Sequence, residues 1–225
     1  MRCYFFKWLA VNKFSVHCLL VISLILTSLV ALPASAKEKN PNSQTIVVFG
    51  DSLSAGYGLA QNQGWVTLMQ ARVAQQKLSY QVVNASISGE TTSGGLARFK
   101  QMLATHQPHI VILELGGNDG LRGLPINEMH ANLNAMIVQA KATKAKILLL
   151  GMQIPPNYGK KYTQAFSETY PLLAKQHSIQ LVPFLLKGVA GKRDLIQNDG
   201  IHPLAIAQPQ LLNNVWDKLN LMIQP

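Results

Sequence analysis

Two kinds of apolar pattern alternate along residues 45–221. Short apolar runs, typical of parallel strands covered on both faces, predict five strands: Thr45–Phe49, Tyr80–Asn84, His109–Leu115, Lys146–Met152 and Ile179–Val182. Longer segments with apolar residues every three or four positions predict five amphipathic helices: Trp65–Gln76, Leu96–Thr105, Asn127–Lys141, Thr163–Gln176 and Ile206–Leu221. We expect Pro171 to kink or split the fourth helix, because proline removes a helical hydrogen bond.

Strict alternation of strand and helix indicates parallel strands joined by right-handed crossovers, with helices on both faces of the sheet. The prediction is therefore an α/β fold: a three-layer α/β/α sandwich whose five-stranded parallel sheet has the flavodoxin-like order 2-1-3-4-5. In that order the carboxyl ends of the first and third strands meet at the point where the strand order reverses, and ligands bind there. The loops after these two strands should be neighbours.

The first 36 residues have the pattern of a signal peptide. A basic start is followed by the uncharged apolar run Cys18–Leu32, and Ala34-Ser35-Ala36 supplies the small residues that a signal peptidase requires. The run has 15 residues, fewer than the roughly 20 that span a membrane. We expect export to the periplasm or beyond, with a single domain over residues 37–225. An uncleaved membrane anchor is the alternative.

Charge and cysteine content narrow the function classes. Removing residues 1–36 takes three of the 20 Lys and Arg residues and none of the 10 Asp and Glu residues, which leaves 17 against 10, or +7. The remaining lysines are scattered and lack interleaved aromatic residues, so nucleic acid is not expected as a partner. A basic surface fits transient contact with a membrane surface, although it also fits a merely solvated face. Both cysteines lie in the removed segment, and no His-rich pair has metal-ligand spacing, so neither cofactor nor metal is expected.

One serine and one histidine stand out as candidates for nucleophilic catalysis. Ser52 follows the first strand in Gly50-Asp51-Ser52, at the edge where such sheets bind ligands. A serine needs a base, and His202 lies in a loop before the last helix with Asp199 three residues earlier. One turn brings this carboxylate against the imidazole Nδ1, as a triad requires. The Asp199-Gly200 pair also fits a turn without chemistry.

Acyl transfer further requires donors for an oxyanion. Asn118 offers a side-chain amide after the third strand, Gly89 an approachable backbone N–H after the second, and Ser52 its own backbone N–H. Each glycine taken alone fits a plain turn better than an oxyanion role. Their joint placement at one sheet edge favours an active site.

Four sequence blocks resemble those of the SGNH (GDSL) hydrolases and occur in that family's order. They are Gly50–Ser54, Asn84–Gly89, Gly116–Asp119 and Asp199–Pro203. Ser54–Gly58, Glu114–Gly123 and Pro156–Gly159 are similar to the bacterial periplasmic acyl-CoA thioesterase, lysophospholipase and arylesterase group. The resemblance implies Ser52 as nucleophile, His202 as base and Asp199 as its orienting residue, with Ser52, Gly89 and Asn118 forming the oxyanion hole.

The resemblance implies a serine hydrolase that cleaves esters or thioesters of small molecules or lipids. We expect a monomer, because nothing in the sequence pattern demands more than one copy. Leu121, Ile154 and Pro155 are the predicted acyl-binding residues, with Leu59 and Leu124 as further candidates. Two segments depart from the family pattern: the loop 152–158 is shorter, and Leu204-Ala205-Ile206 replaces polar residues. Both lie near the substrate and bear on chain-length preference.

Three other functions fit parts of the sequence. A carbohydrate acetyl esterase would use the same triad. A non-catalytic anion binder would use the glycines around Ser52, but neither phosphate-binding glycine motif is present. A common α/β-hydrolase would need glycine at the position of Ser54.

Overall fold

The computed structural model describes residues 43–223, and the predicted signal peptide lies outside them. Within these residues the five predicted strands and the five predicted helices are all present, together with two short helices that the sequence pattern did not predict. The strands are β1 (Gln44–Gly50), β2 (Tyr80–Asn84), β3 (Ile110–Glu114), β4 (Lys146–Leu150) and β5 (Gln180–Val182). The helices are α1 (Ser52–Ala55), α2 (Trp65–Gln75), α3 (Thr92–His106), α4 (Gly117–Leu121), α5 (Ile126–Ala142), α6 (Lys160–His177) and α7 (Gln208–Ile223). Two 3₁₀ turns cover Pro156–Tyr158 and Ala205–Ala207.

All neighbouring strands are parallel, and their order is β2-β1-β3-β4-β5. The predicted order and fold class are confirmed. In the register of the central pair, Gly50 at the end of β1 lies opposite Glu114 at the end of β3. This register brings the loops after β1 and β3 to one edge of the sheet.

Helices cover both faces of the sheet. Helices α2 and α7 pack against each other, while α3, α5 and α6 pack in series. The five residues of β3 are all buried, as a central strand under two helical layers requires. Phe49 of β1 packs edge-on against Phe99 of α3, with ring centroids 5.0 Å apart. No helix within residues 43–223 has the length and apolar character of a membrane span.

The structure corrects several predicted boundaries. Helix α6 runs unbroken through Pro171, so the expected split is wrong. Pro171 is exposed, and solvent can replace the hydrogen bond that the ring removes. Helix α3 begins at Thr92 rather than Leu96, and the side chain of Thr91 caps it by accepting a hydrogen bond from the backbone N–H of Gly94. A Cβ at Gly95 would overlap Leu115.

Candidate active site

The candidate nucleophile stands at the start of a very short helix. Asp51 is the N-cap of α1, and its Oδ1 accepts a hydrogen bond from the backbone N–H of Leu53 over 3.0 Å. Ser52 is therefore the first helical residue beyond the edge of β1. Space at the turn is limited, since a Cβ at Gly50 would overlap the carboxyl group of Glu114. Glycine is the residue that allows the turn to pass this close to β3.

Ser52, His202 and Asp199 form a continuous hydrogen-bonded chain. Nε2 of His202 lies 2.7 Å from Oγ of Ser52, and Nδ1 of His202 lies 2.7 Å from Oδ2 of Asp199. Two contacts hold the other carboxylate oxygen: Oδ1 of Asp199 accepts from the backbone N–H groups of Ile201 (2.9 Å) and His202 (3.0 Å). Asp199 therefore closes its turn and orients the imidazole at the same time.

The hydrogen bonds of Asp199 also set its charge. Desolvation acts to raise the pKa of this carboxyl, but the donors of His202 and Ile201 outweigh it and lower the pKa to about 2. Asp199 is thus ionised through the whole neutral and mildly acidic range. A negative charge beside Nδ1 stabilises an imidazolium, which is the form that a general base reaches after taking a proton.

An aromatic ring covers His202 on one side. The ring of Tyr57 lies 4.6 Å from that of His202, centroid to centroid. The amide Nε2 of Gln197 donates to the backbone carbonyl of Tyr57 over 2.9 Å and so fixes this segment. Tyr57 is half exposed and lies at the mouth of the site. Tyr57 was not among the predicted site residues.

The three predicted oxyanion donors lie around one cavity. Ser52, Gly89 and Asn118 all line it together with His202. Within residues 43–223, neither the backbone N–H of Ser52 nor that of Gly89 has a hydrogen-bond partner. Gly89 has a φ of +80°, a conformation that glycine adopts without strain. Both N–H groups are available to a ligand.

The amide of Asn118 is held by two acceptors. Its Nδ2 donates to the backbone carbonyl of Glu90 over 3.0 Å and to Oδ2 of Asp51 over 3.1 Å. The segment that carries Gly89 and Glu90 is fixed in turn by arginines. Arg98 pairs with the carboxylate of Glu90, and Nη2 of Arg122 donates to the carbonyl of Gly89 over 3.0 Å. The loops after β1, β2 and β3 are therefore cross-linked by polar contacts.

Asp51 has a second role besides capping α1. It is buried, and desolvation raises its pKa to about 6. Besides capping α1 it orients Asn118, which links the loop after β1 to the loop after β3. This second contact joins residues 67 positions apart, so no local pattern announces it.

The cavity beside Ser52 measures about 800 Å³, within the range of small-molecule sites, and its lining is mainly apolar. Of the predicted acyl-binding residues, Leu121, Ile154 and Pro155 line it, whereas the further candidates Leu59 and Leu124 do not. The lining contains further apolar residues that were not among the predicted acyl-binding residues: Met152, Phe184, Leu186, Ala190, Ile196 and Ile201. Phe184 and Leu186 follow β5, so the strand-end rule that located Ser52 could have found them. Within residues 43–223 no three His, Cys, Asp or Glu side chains form a potential metal site.

Comparison with known proteins gives the same picture. Residues 48–207 match the model of the GDSL-like lipase/acylhydrolase family. The chain belongs to this family. It is therefore a serine ester hydrolase with the fold of its structural neighbours.

Two curated relatives show how far the similarity extends. An esterase from Pseudomonas aeruginosa, TesA, is 52% identical over 181 residues, which cover 80% of this chain and 90% of the relative. An arylesterase from Vibrio mimicus is 39% identical over 199 residues, or 88% of this chain and 96% of the relative.

A third relative and two crystal structures extend the comparison. The thioesterase 1/protease 1/lysophospholipase L1 of Escherichia coli is 45% identical over 167 residues, which cover 74% of this chain and 79% of the relative. The crystal structure of TesA has a TM-score of 0.78 and covers 80% of this chain and 99% of its own. The second crystal structure is that of EstA, a psychrotrophic esterase from a Pseudoalteromonas species, with the enzyme inhibited by monoethylphosphonate. It has a TM-score of 0.77 at 39% identity and covers 80% of this chain and 98% of its own.

Proposed function

We propose that this protein hydrolyses carboxylic esters and thioesters of acyl chains through an acyl-enzyme on Ser52. The observation that carries the proposal is the chain of two 2.7 Å contacts from Ser52 through His202 to Asp199. Such a chain lets the imidazole take the hydroxyl proton while Oγ attacks the carbonyl carbon. His202 then gives the proton to the leaving group and activates the water that releases the acyl group.

Charge that develops on the carbonyl oxygen needs donors that are already in place. The free backbone N–H groups of Ser52 and Gly89 supply two, and Nδ2 of Asn118 supplies the third. Nδ2 donates to Glu90 and Asp51 in the structure, so an oxyanion replaces one of these two acceptors while the other keeps the amide in position. No donor has to reorganise by more than one hydrogen bond.

The cavity supports an acyl chain as the group that Ser52 attacks. The cavity has a volume of about 800 Å³ and a mainly apolar lining. Each methylene group of an acyl chain that is buried in it contributes roughly 0.8 kcal/mol to binding. The curated relatives named arylesterase and thioesterase/lysophospholipase fit esters with large leaving groups. The substrate of a carbohydrate acetyl esterase is polar outside its acetyl group, which suits this mainly apolar lining less well.

A substrate panel tests the proposal. It comprises p-nitrophenyl esters from acetate to palmitate, the matching acyl-CoAs, a lysophospholipid and an acetylated sugar. We expect kcat/KM to rise with chain length until the cavity is full, with ester and thioester substrates both cleaved. Turnover of acetyl esters alone would favour the acetyl esterase and contradict the acyl-chain proposal.

We also propose export and action at a lipid surface. The apolar run and the Ala34-Ser35-Ala36 site support cleavage before Lys37, which amino-terminal sequencing of the secreted protein tests directly. Ile201, Leu204 and Ile206 flank His202 and are exposed, and together with a basic surface they suit contact with anionic lipid. Co-sedimentation of Ile206→Ser with anionic vesicles should fall below that of the wild type. Light scattering should show a monomer.

A further inference from the structure

A second carboxyl group is buried directly beneath the nucleophile turn, and the mechanism above does not use it. Glu114, the last residue of β3, has no exposed surface. Its Oε2 accepts hydrogen bonds from Oγ of Ser54 over 2.7 Å and from the backbone N–H of Asp51 over 3.2 Å. Its Oε1 is buried and has no hydrogen-bond partner. A buried oxygen without a hydrogen-bond partner destabilises the fold, and it does so more strongly when it carries a charge than when a proton neutralises the carboxyl group.

The nearest titratable groups are acidic. The side chain of Asp51 lies within hydrogen-bonding reach of that of Glu114, and Asp119 and Tyr170 also face this region. The charge of His202, which lines the cavity, acts to lower the pKa of Asp51. Within residues 43–223, neither Asp51 nor Glu114 forms an ion pair with lysine or arginine. Two adjacent buried carboxylates without a cation cannot both ionise.

Burial and the partners of the individual oxygens together assign the charges of the two carboxyl groups. Asp51 accepts from the amide of Asn118 and from the backbone N–H of Leu53, both of which favour its ionised form. Glu114 has an oxygen free to carry a proton and a neighbouring carboxylate to accept it. Desolvation first, and then the charge of Asp51, raise the pKa of Glu114 well above its ordinary value, and they outweigh Oγ of Ser54 and the backbone N–H of Asp51, which act to lower it.

We propose that Glu114 is a positioning residue that holds a proton between its carboxyl group and that of Asp51. The nucleophile turn then rests on one negative charge, which Asp51 presents to Asn118, and on a neutral acid that accepts from Ser54 and from the backbone of Asp51. Glu114 touches no substrate; it fixes the turn that carries Ser52 relative to the donor Asn118. This inference rests on the proposed roles of Ser52 and Asn118.

Glutamine is the matched variant, because it copies a protonated acid atom for atom. In Glu114→Gln, the amide oxygen accepts from Ser54 and the amide nitrogen donates to Asp51. Glu114→Met keeps the length of the side chain but removes every hydrogen bond. A residue needed only to fill space would tolerate methionine, and one needed for its charge would not tolerate glutamine.

Infrared spectroscopy and kinetics together test the assignment. The wild type at neutral pH should show the carbonyl stretch of a protonated carboxylic acid, absent in Glu114→Gln and shifted by ¹³C-labelled glutamate. Glu114→Gln should keep kcat within a few-fold, whereas folded Glu114→Met should lose about 10²-fold in kcat, the typical cost of a misplacement of about 1 Å. A spectrum without that band would overturn the proposal, as would equal kcat losses in both variants or no loss in Glu114→Met.

Failure of this inference can be told apart from failure of the proposed function. Labelling of wild-type Ser52 by a fluorophosphonate depends on the nucleophile and not on the protonation of Glu114. A wild type that is labelled but lacks the infrared band contradicts only the role of Glu114. A wild type that is not labelled contradicts the function itself.

Discussion

The amide nitrogen of Asn118 lies 3.1 Å from Oδ2 of Asp51, a contact that ties the oxyanion donor to the turn bearing the nucleophile. Because Asp51 also caps α1, the same carboxylate sets the position of both partners in the reaction. The site is therefore built across the β1–β3 junction, where the strand order reverses, and is not contained in any one loop.

Removing the amide of Asn118 should lower turnover without unfolding the protein. In Asn118→Ala we expect kcat to fall by about 10²–10³-fold, the typical cost of losing one oxyanion donor. Steady-state kinetics with a p-nitrophenyl ester measures it. Asn213→Ala is the control, since Asn213 is exposed and accepts only from Arg72 on the surface. An Asn118→Ala variant as active as the control would contradict the assigned role.

The ionisation of Asp199 should contribute to stability in a defined pH window. Its folded-state pKa of about 2 lies below its ordinary value of 3.8, so the contribution is present above pH 3.8 and is lost as the pH falls toward 2. Urea unfolding of the wild type and Asp199→Asn should therefore show a stability difference that shrinks over this window. A difference that is constant between pH 5 and pH 2 would contradict the depressed pKa.

A methyl group at Gly50 should disturb the turn before Ser52. The added Cβ would meet the carbonyl oxygen of Glu114 at 2.8 Å and Oγ of Ser54 at 2.9 Å. Overpacking of this kind costs about 1–3 kcal/mol in the free energy of unfolding, measured by urea denaturation of Gly50→Ala. Gly94→Ala is the control, because its Cβ would meet nothing closer than 3.4 Å within a helix that favours alanine. Equal stabilities of the two variants would refute the packing argument.

Filling the cavity should shorten the preferred acyl chain. Ile154 lines the cavity, and Ile154→Trp should reduce kcat/KM for long chains while sparing acetate. If each buried methylene contributes about 0.8 kcal/mol, kcat/KM in the wild type rises about fourfold per methylene, and this rise should stop earlier in the variant. Leu172→Trp, at an exposed position on α6, is the control. An unchanged chain-length profile would place the acyl chain elsewhere.

The sequence is informative about the fold because hydrophobic periodicity and strand alternation leave few arrangements. Strand order, layers and the edge that carries Ser52 follow from general rules of parallel sheets. Helices α1 and α4 were not predicted, because segments of four and five residues are too short to show a helical period. The continuity of α6 through Pro171 was not predicted either. The cost of a proline inside a helix depends on its exposure, and exposure is set by the tertiary structure.

For the site, the sequence predicts the reacting residues but not the contacts between the loops that carry them. Ser52, Gly89, Asn118, Asp199 and His202 follow from chemistry at strand ends, and the structure brings all five together. Contacts between loops are a different matter, since Asp51 meets Asn118 only in the folded chain. Glu114 could have been found from the sequence, because a glutamate in an otherwise apolar, buried strand needs a hydrogen-bond partner.

Labelling of Ser52 is the most direct test of the account. The protein is treated with a fluorophosphonate, which reacts with serines activated by a neighbouring base, and the adduct is located by mass spectrometry. We expect a single stoichiometric adduct on Ser52 that abolishes hydrolysis, with no labelling in Ser52→Ala and slow labelling in His202→Ala. Labelling that persists in Ser52→Ala, or hydrolysis by that variant at the wild-type rate, would contradict the central claim.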